Sequence, residues 1–259
     1  MKVGICVVGD EILGGHVLDT NTHWLLQQLR RMGHDVARVE IVPDDIPVIG
    51  ESVQRFLQEN FDVLFVCGGI GPTHDDVTVE AVAKALGREY ATSEEALALI
   101  QRQYDRFHEL GFLKSARIED VSGAQKMARV PEGCTLLDPI GTAPGIFLSE
   151  WNAAGTEIKI FVLPGVPLEH HAMFTNHIKN KLLPKNPDKK HTVEIITKTE
   201  EGRLADLLVQ AIELFPGIKI GSYPDIEKLQ VLLRITGTAE QVESAAEYIR
   251  NELAALGPG

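Results

Sequence analysis

From its first residues the chain alternates short apolar runs with amphipathic stretches, an order that few folds can accommodate. Residues 3–8 (VGICVV) are almost continuously apolar, as in a strand buried on both faces. The capping types Asp19, Thr20 and Asn21 precede a helix predicted over about Thr22 to Met32. Trp24, Leu25, Leu29 and Met32 fall on one stripe of it, and Gly33 ends it. A strand over 36–42 leads to Asp44, Asp45 and Pro47, which open a second helix with Ile49, Val53, Phe56 and Leu57 facing inward. A third apolar strand, 63–67, runs into a glycine loop and a helix from about Thr78 to Leu86, stopped by Gly87. Such a βαβαβα order predicts an α/β fold, a parallel sheet with helices on both faces.

The pattern then loosens. Residues 92–111 read as a helical excursion from the sheet, and 115–128 carry no clear period. Short β-like runs follow at 134–137, 145–148 and 158–163, the last two joined by Asn152-Ala153-Ala154-Gly155 as a hairpin turn. A helix is predicted over 167–183, and the Pro-rich, polar run 184–188 marks a boundary. Beyond it, strand 191–197, helix 203–215, strands 218–222 and 228–235 and helix 239–256 make a small βαββα unit. Two domains are therefore expected, residues 1–185 and 190–256.

Charge and composition remove several function classes. The 259 residues carry 25 Lys and Arg against 37 Asp and Glu, net −12, which argues against a nucleic-acid partner. Aromatic residues, at 6%, form no stacking stripe, and the tail has no GXXG loop of the KH type. No apolar run approaches the ~18 residues of a membrane span, so no membrane partner is expected. Three cysteines (Cys6, Cys67, Cys134) make neither a disulfide framework nor a CxxC metal site; a reducing, cytoplasmic setting is expected. The sheet edge and apolar face of the small unit need covering, so a homo-oligomer, a dimer by preference, is expected.

Chemistry concentrates in loops after strands. Gly68-Gly69-Ile70-Gly71-Pro72-Thr73-His74-Asp75-Asp76-Val77-Thr78 follows a buried strand and precedes a helix. Ligands of open parallel sheets bind at this edge, where glycine amides can point at oxyanions. No Gly-Lys-Ser/Thr follows, so it is no P-loop, and His74 stands where the dinucleotide fingerprint has its third glycine. The plain alternative is a tight turn in which Asp75 and Asp76 cap the helix. Gly9-Asp10-Glu11-Ile12-Leu13-Gly14-Gly15-His16 follows the first strand, so Asp10, Glu11, Asp75 and Asp76 would converge at one rim. Crowded carboxylates repel unless a cation intervenes, and Mg²⁺ takes oxygen ligands and bridges to phosphate. At least one of the four is expected to be purely structural. Two further Gly-Pro loops, 138–145 and 163–167, add to the same edge. Lys126 and Arg129 are candidate phosphate cations, with surface solvation as the alternative for each. His170 and His171 are adjacent, hence on different helix faces, and make no metal pair.

Taken in order, GDEILGGHVLDTN, VPDD, GGIGPTHDDVT, IGTAPG and LPGVP resemble the MoaB/Mog-like molybdopterin-binding family over about residues 1–185. Within it the likeness runs to the N-terminal domain of CinA-type proteins and to the molybdopterin-binding-like domain of eukaryotic FAD synthases. The tail resembles the small domain that follows in CinA-type proteins. The resemblance implies a three-layer α/β/α fold with a mostly parallel sheet. It also implies a small phosphorylated ligand: molybdopterin in one branch, ADP-ribose or FAD in the others, which hydrolyse a diphosphate with a divalent metal (Mg²⁺, Mn²⁺ or Co²⁺). Asp76 and Asp10, matched by motif, together with Asp75 from the crowded carboxylates, become the expected catalytic and metal-binding residues. Gly68, Gly69, Gly71, Thr73, Thr78, Asp19, Asn21, Asp45, Thr142 and Gly145 become substrate-binding. Two departures stand out. His74-Asp75 replaces the Arg that molybdenum-branch members carry before their aspartate, which favours the hydrolase branch, and Glu200-Glu201-Gly202-Arg203 replaces a GxGES-like turn. The expected function is thus a CinA-like metal-dependent pyrophosphatase, with a non-hydrolytic pterin- or nucleotide-binding protein as the alternative.

Overall fold

The computed structural model describes residues 1–119, 121–186 and 190–256. Contacts divide the chain into two units, Met1–Lys185 and Asn186–Gly259. The first contains β1 (Lys2–Val8), α1 (Asp10–Leu13), α2 (Thr20–Arg31), β2 (Asp35–Val42), α3 (Ile46–Gln58), β3 (Val63–Cys67) and α4 (Thr78–Ala85). It continues through β4 (Tyr90–Thr92), α5 (Glu94–Glu109), α6 (Ser122–Met127), β5 (Arg129–Pro131), β6 (Thr135–Leu137), β7 (Gly145–Trp151), β8 (Glu157–Leu163) and α7 (Pro167–Met173).

Six strands form one sheet in the order β2-β1-β3-β8-β7-β6. β2, β1, β3 and β8 run parallel, and β7 lies antiparallel between β8 and β6. Alternation along β1 sends Cys6 and Val8 to one face, with Ile49, Val53 and Phe56 of α3. Val3, Ile5 and Val7 go to the other, with Leu25 and Leu29 of α2 and Phe174. The apolar runs are thus buried on both faces, and the first unit is the expected three-layer α/β/α arrangement. Gly4 is required by packing: a Cβ there would lie 2.4 Å from a Phe56 ring carbon.

Three local features differ from expectation. The predicted helix over 167–183 ends as α7 at Met173, passes through a π-helical turn at Phe174–Ile178 and turns back. Asn180 makes that turn in the left-handed region at φ 62°, which its short polar side chain tolerates. The ribbon β4–β5, three residues a side, is too short to carry a period, yet it anchors both ends of the excursion. α6 fills part of the stretch without a period, and Asp120 in that stretch lies outside the described residues.

The second unit contains β9 (His191–Thr197), α8 (Glu201–Leu214), β10 (Lys219–Asp225), β11 (Gln230–Gly237) and α9 (Ala239–Leu256). Its antiparallel sheet, β10-β11-β9, packs Leu233 and Ile235 against Leu204, Leu207 and Ala211 of α8 and Val242 and Ile249 of α9. Part of the predicted boundary, residues 187 and 188, lies outside the described residues.

Candidate functional site at the carboxyl rim of the sheet

Strand register brings the loops together. Val8 pairs with Val42, Val7 with Cys67, and Cys67 with Leu163, so the loops after β1, β2, β3 and β8 leave the sheet side by side. Gly68 locks three strand ends: its amide donates to Leu163 O at 2.9 Å, and a Cβ on it would lie 2.2 Å from Val8 O. Its φ of 106° and that of Gly69, 62°, lie in the region that favours glycine. A Cβ on Gly69 would sit 2.4 Å from Thr78 Oγ1 and 3.1 Å from Asp44 Oδ1. The Thr78 amide donates to Gly69 O at 3.0 Å, while its fully buried hydroxyl has no partner among the described residues. The amides of Gly69, Ile70 and Gly71 find no acceptor among the described residues, which leaves consecutive donors available to an oxyanion.

The acidic residues take distinct roles. Asp76 Oδ2 accepts the Thr73 amide at 2.8 Å and its hydroxyl at 2.5 Å, bracing the loop and leaving Oδ1 uncommitted. Neither Asp75 nor Asp76 caps α4; Val77 holds that place without a side-chain bond, so the capping alternative is overturned. Lys126 donates to Thr73 O, and together with Gly71, Asp76 and Arg129 it lines a small recess under the loop. Asp19 and Asp45 cap α2 and α3, accepting from Thr22 N and Val48 N at 3.0 Å each. Asp75 is exposed, 3.9 Å from the His74 ring.

Asp44 was not among the expected site residues, yet it stands at the centre. Its Oδ2 accepts the Asp10 amide at 2.9 Å. Partial burial pushes its carboxyl above the usual range, and the charges of Glu11, Asp10 and Asp75 push it further. Glu11, Asp10 and Asp75 thus lie near enough to Asp44 for their charges to act on it, while Asp76 is turned to Thr73. Pro47 was the available signal. Proline prefers the first helical turn, which sets the cap at Asp45 and frees Asp44 for the rim.

Carboxylate repulsion of the kind felt at Asp44 is what a hard divalent cation would relieve. No three His, Cys, Asp or Glu side chains among the described residues are gathered closely enough to hold a metal alone. Mg²⁺ sites commonly use one or two carboxylates and complete their shell with phosphate oxygens and water.

The remaining loops close the rim. Asn21 Nδ2 donates to Gly165 O at 2.6 Å, and its buried Oδ1 has no partner among the described residues. Gly165 in turn comes within reach of Gly68. Thr142 Oγ1 contacts Met127 Sδ at 3.7 Å. Gly145 opens β7, where a Cβ would lie 2.1 Å from Met173 Sδ, so packing leaves no room for a side chain there. His170 is fully buried, with Nδ1 at 3.2 Å from Pro164 O, and burial pulls its imidazole down to about 4.

The profile of a family described as "Probable molybdopterin binding domain" matches residues 4–184, and that of "FAD synthase, middle domain" matches residues 189–256. A protein of Pyrococcus abyssi is 37% identical over 254 residues, covering 97% of this chain and 96% of that one. A protein of Thermococcus kodakarensis is 35% identical over 254 residues, covering 97% of each. The crystal structure of a CinA protein "with unknown function" from Thermoplasma acidophilum superposes with TM-score 0.57 at 34% identity, covering 68% of this chain and 94% of that one. The fold, the loops at its rim and these matches agree: the chain belongs to the MoaB/Mog-like family of probable molybdopterin-binding domains, in its CinA-like form.

Proposed function

We propose that the protein hydrolyses the diphosphate of ADP-ribose, FAD or a related nucleotide with the help of a divalent metal. One observation carries the reading: the unengaged amides of Gly69, Ile70 and Gly71 lie beside an Asp44 carboxylate crowded by other carboxylates. The amides cradle one phosphate, and Asp76, through Thr73, keeps their loop in shape. Asp44, with one carboxylate from Asp10 or Asp75, would hold the cation, and phosphate oxygens and water would complete its shell. When bound, it polarises a phosphoryl oxygen and lowers the pKa of water. A water oxygen bonds to one phosphorus and the bond from that phosphorus to the bridging oxygen breaks. ADP-ribose and water give AMP and ribose 5-phosphate, with the released proton passing to solvent. Preorganised amides act at the charge that grows in the transition state, which supplies most of the rate.

Purified protein incubated with ADP-ribose or FAD and Mg²⁺, Mn²⁺ or Co²⁺ is expected to release AMP, and chelator to stop it. Absence of AMP with every metal contradicts the reading. The second reading, a pterin- or nucleotide-binding protein without turnover, is favoured by the family match over residues 4–184. It predicts tight binding, indifferent to chelator, and no product. A homodimer is part of the same proposal, supported by the exposed apolar stripe of Val209 and Ile212 on α8. Sedimentation at micromolar concentration should give twice the chain's 28.5 kDa; a lone monomer contradicts it.

A further inference from the structure

Glu169 stands in the first turn of α7, just after the Pro164–Pro167 loop. Its carboxylate lies against the backbone of Gly141: a Cβ there would fall 2.1 Å from Oε1 and 2.4 Å from Oε2. The side chain is thereby placed between two rim loops, 138–145 and 164–167, the second of which approaches Gly68. It is half-buried and has no hydrogen-bond or ion-pair partner among the described residues. Burial alone pushes its carboxyl above the usual range. Of the other acidic groups near the rim, Asp10, Glu11 and Asp75 are exposed and the rest are engaged. Asp19, Asp44, Asp45 and Asp76 accept from amides, and Asp138 meets Arg102.

Neither Glu169 oxygen is sealed from water, so a ligand that brings donors takes the place of water there. A carboxylate accepts two parallel hydrogen bonds. The glycine loop offers donors, suited to phosphate; Glu169 offers acceptors, which phosphate cannot use. We infer that Glu169 is a specificity-determining residue, accepting a pair of neighbouring O–H or N–H donors on the non-phosphate part of the ligand. The vicinal diol of a ribose and the aminopyrimidinone edge of a pterin both present such a pair. The assignment rests on the rim being the phosphate-ester site, though not on turnover.

Calorimetry on the full chain tests it, with inorganic diphosphate, AMP, 2′,3′-dideoxy-AMP and neopterin monophosphate as probes. Glu169→Ala should leave diphosphate binding unchanged and weaken either AMP or the pterin by roughly ten- to a hundredfold, as expected for hydrogen bonds to a charged group. Glu169→Gln, of the same shape, should fall between. If the ribose is the source, dideoxy-AMP binds wild type and both variants alike; if the pterin is, AMP does. Equal weakening of all probes, or of none, in both variants overturns the assignment. Failure of wild type to bind diphosphate overturns the phosphate site itself, and the assignment with it. Binding without AMP release from ADP-ribose removes only the hydrolase reading.

Discussion

Asp44 bridges two loops of the rim: its Oδ2 accepts the amide of Asp10 at 2.9 Å, while its Oδ1 lies 3.1 Å from where a side chain on Gly69 would begin. The first acidic loop and the glycine loop are thus held against one carboxylate.

Asp44→Asn is expected to lower AMP release by on the order of 100-fold, as when a single charge-stabilising group is removed from a reacting centre. It should also stabilise the fold. A carboxyl raised in the folded state binds its proton more readily there than when unfolded, so its ionisation near neutral pH works against folding. A melting-point rise of about 2 °C should accompany the lost activity. A lower melting point would show that Asp44 is a structural brace.

Gly69→Ala separates backbone need from surface tolerance. At Gly15, φ 70°, a Cβ meets open space, so Gly15→Ala should cost only the left-handed strain, about 1 kcal/mol. At Gly69 the same strain is joined by the Thr78 hydroxyl and Asp44. Diphosphate affinity should fall at least tenfold in Gly69→Ala and stay unchanged in Gly15→Ala. Equal effects in calorimetry would refute the cradle.

His170 makes stability fall in acid. Its folded pKa, about 4, lies below the ordinary 6.5, so the unfolded chain binds the proton first. The benefit of keeping it neutral is complete above pH 6.5 and is lost as pH falls towards 4, about 3 kcal/mol in all. His34, also lowered by burial, acts in the same direction. Urea titrations at pH 7.5 and 4.5 should show a flatter pH dependence for His170→Gln than for wild type. An unchanged dependence rules His170 out.

The sheet was legible because the parallel strands β1, β3 and most of β8 are buried on both faces and need no distant information to be recognised. Its carboxyl rim follows from strand direction alone, so the loops carrying Asp10, Gly69, Thr142 and Gly165 could be placed together in advance. Asp44 and Asp45 are identical, adjacent and both cap formers; Pro47 distinguishes them only if the cap is counted back from it. Asp19 and Asp45, taken over from motif as substrate-binding, are caps in the structure. Glu169 gave no signal, because its position depends on meeting Gly141 on another loop, a contact that no local period encodes.

The central claim is that a divalent metal and the Gly69–Gly71 amides hold one phosphorylated ligand together. Calorimetric titration of ADP-ribose into wild type and Asp44→Asn, each with Mn²⁺ and with chelator, tests it most directly. The account predicts that Mn²⁺ tightens binding to wild type at least tenfold and leaves Asp44→Asn unchanged. Equal affinity in all four titrations would contradict it.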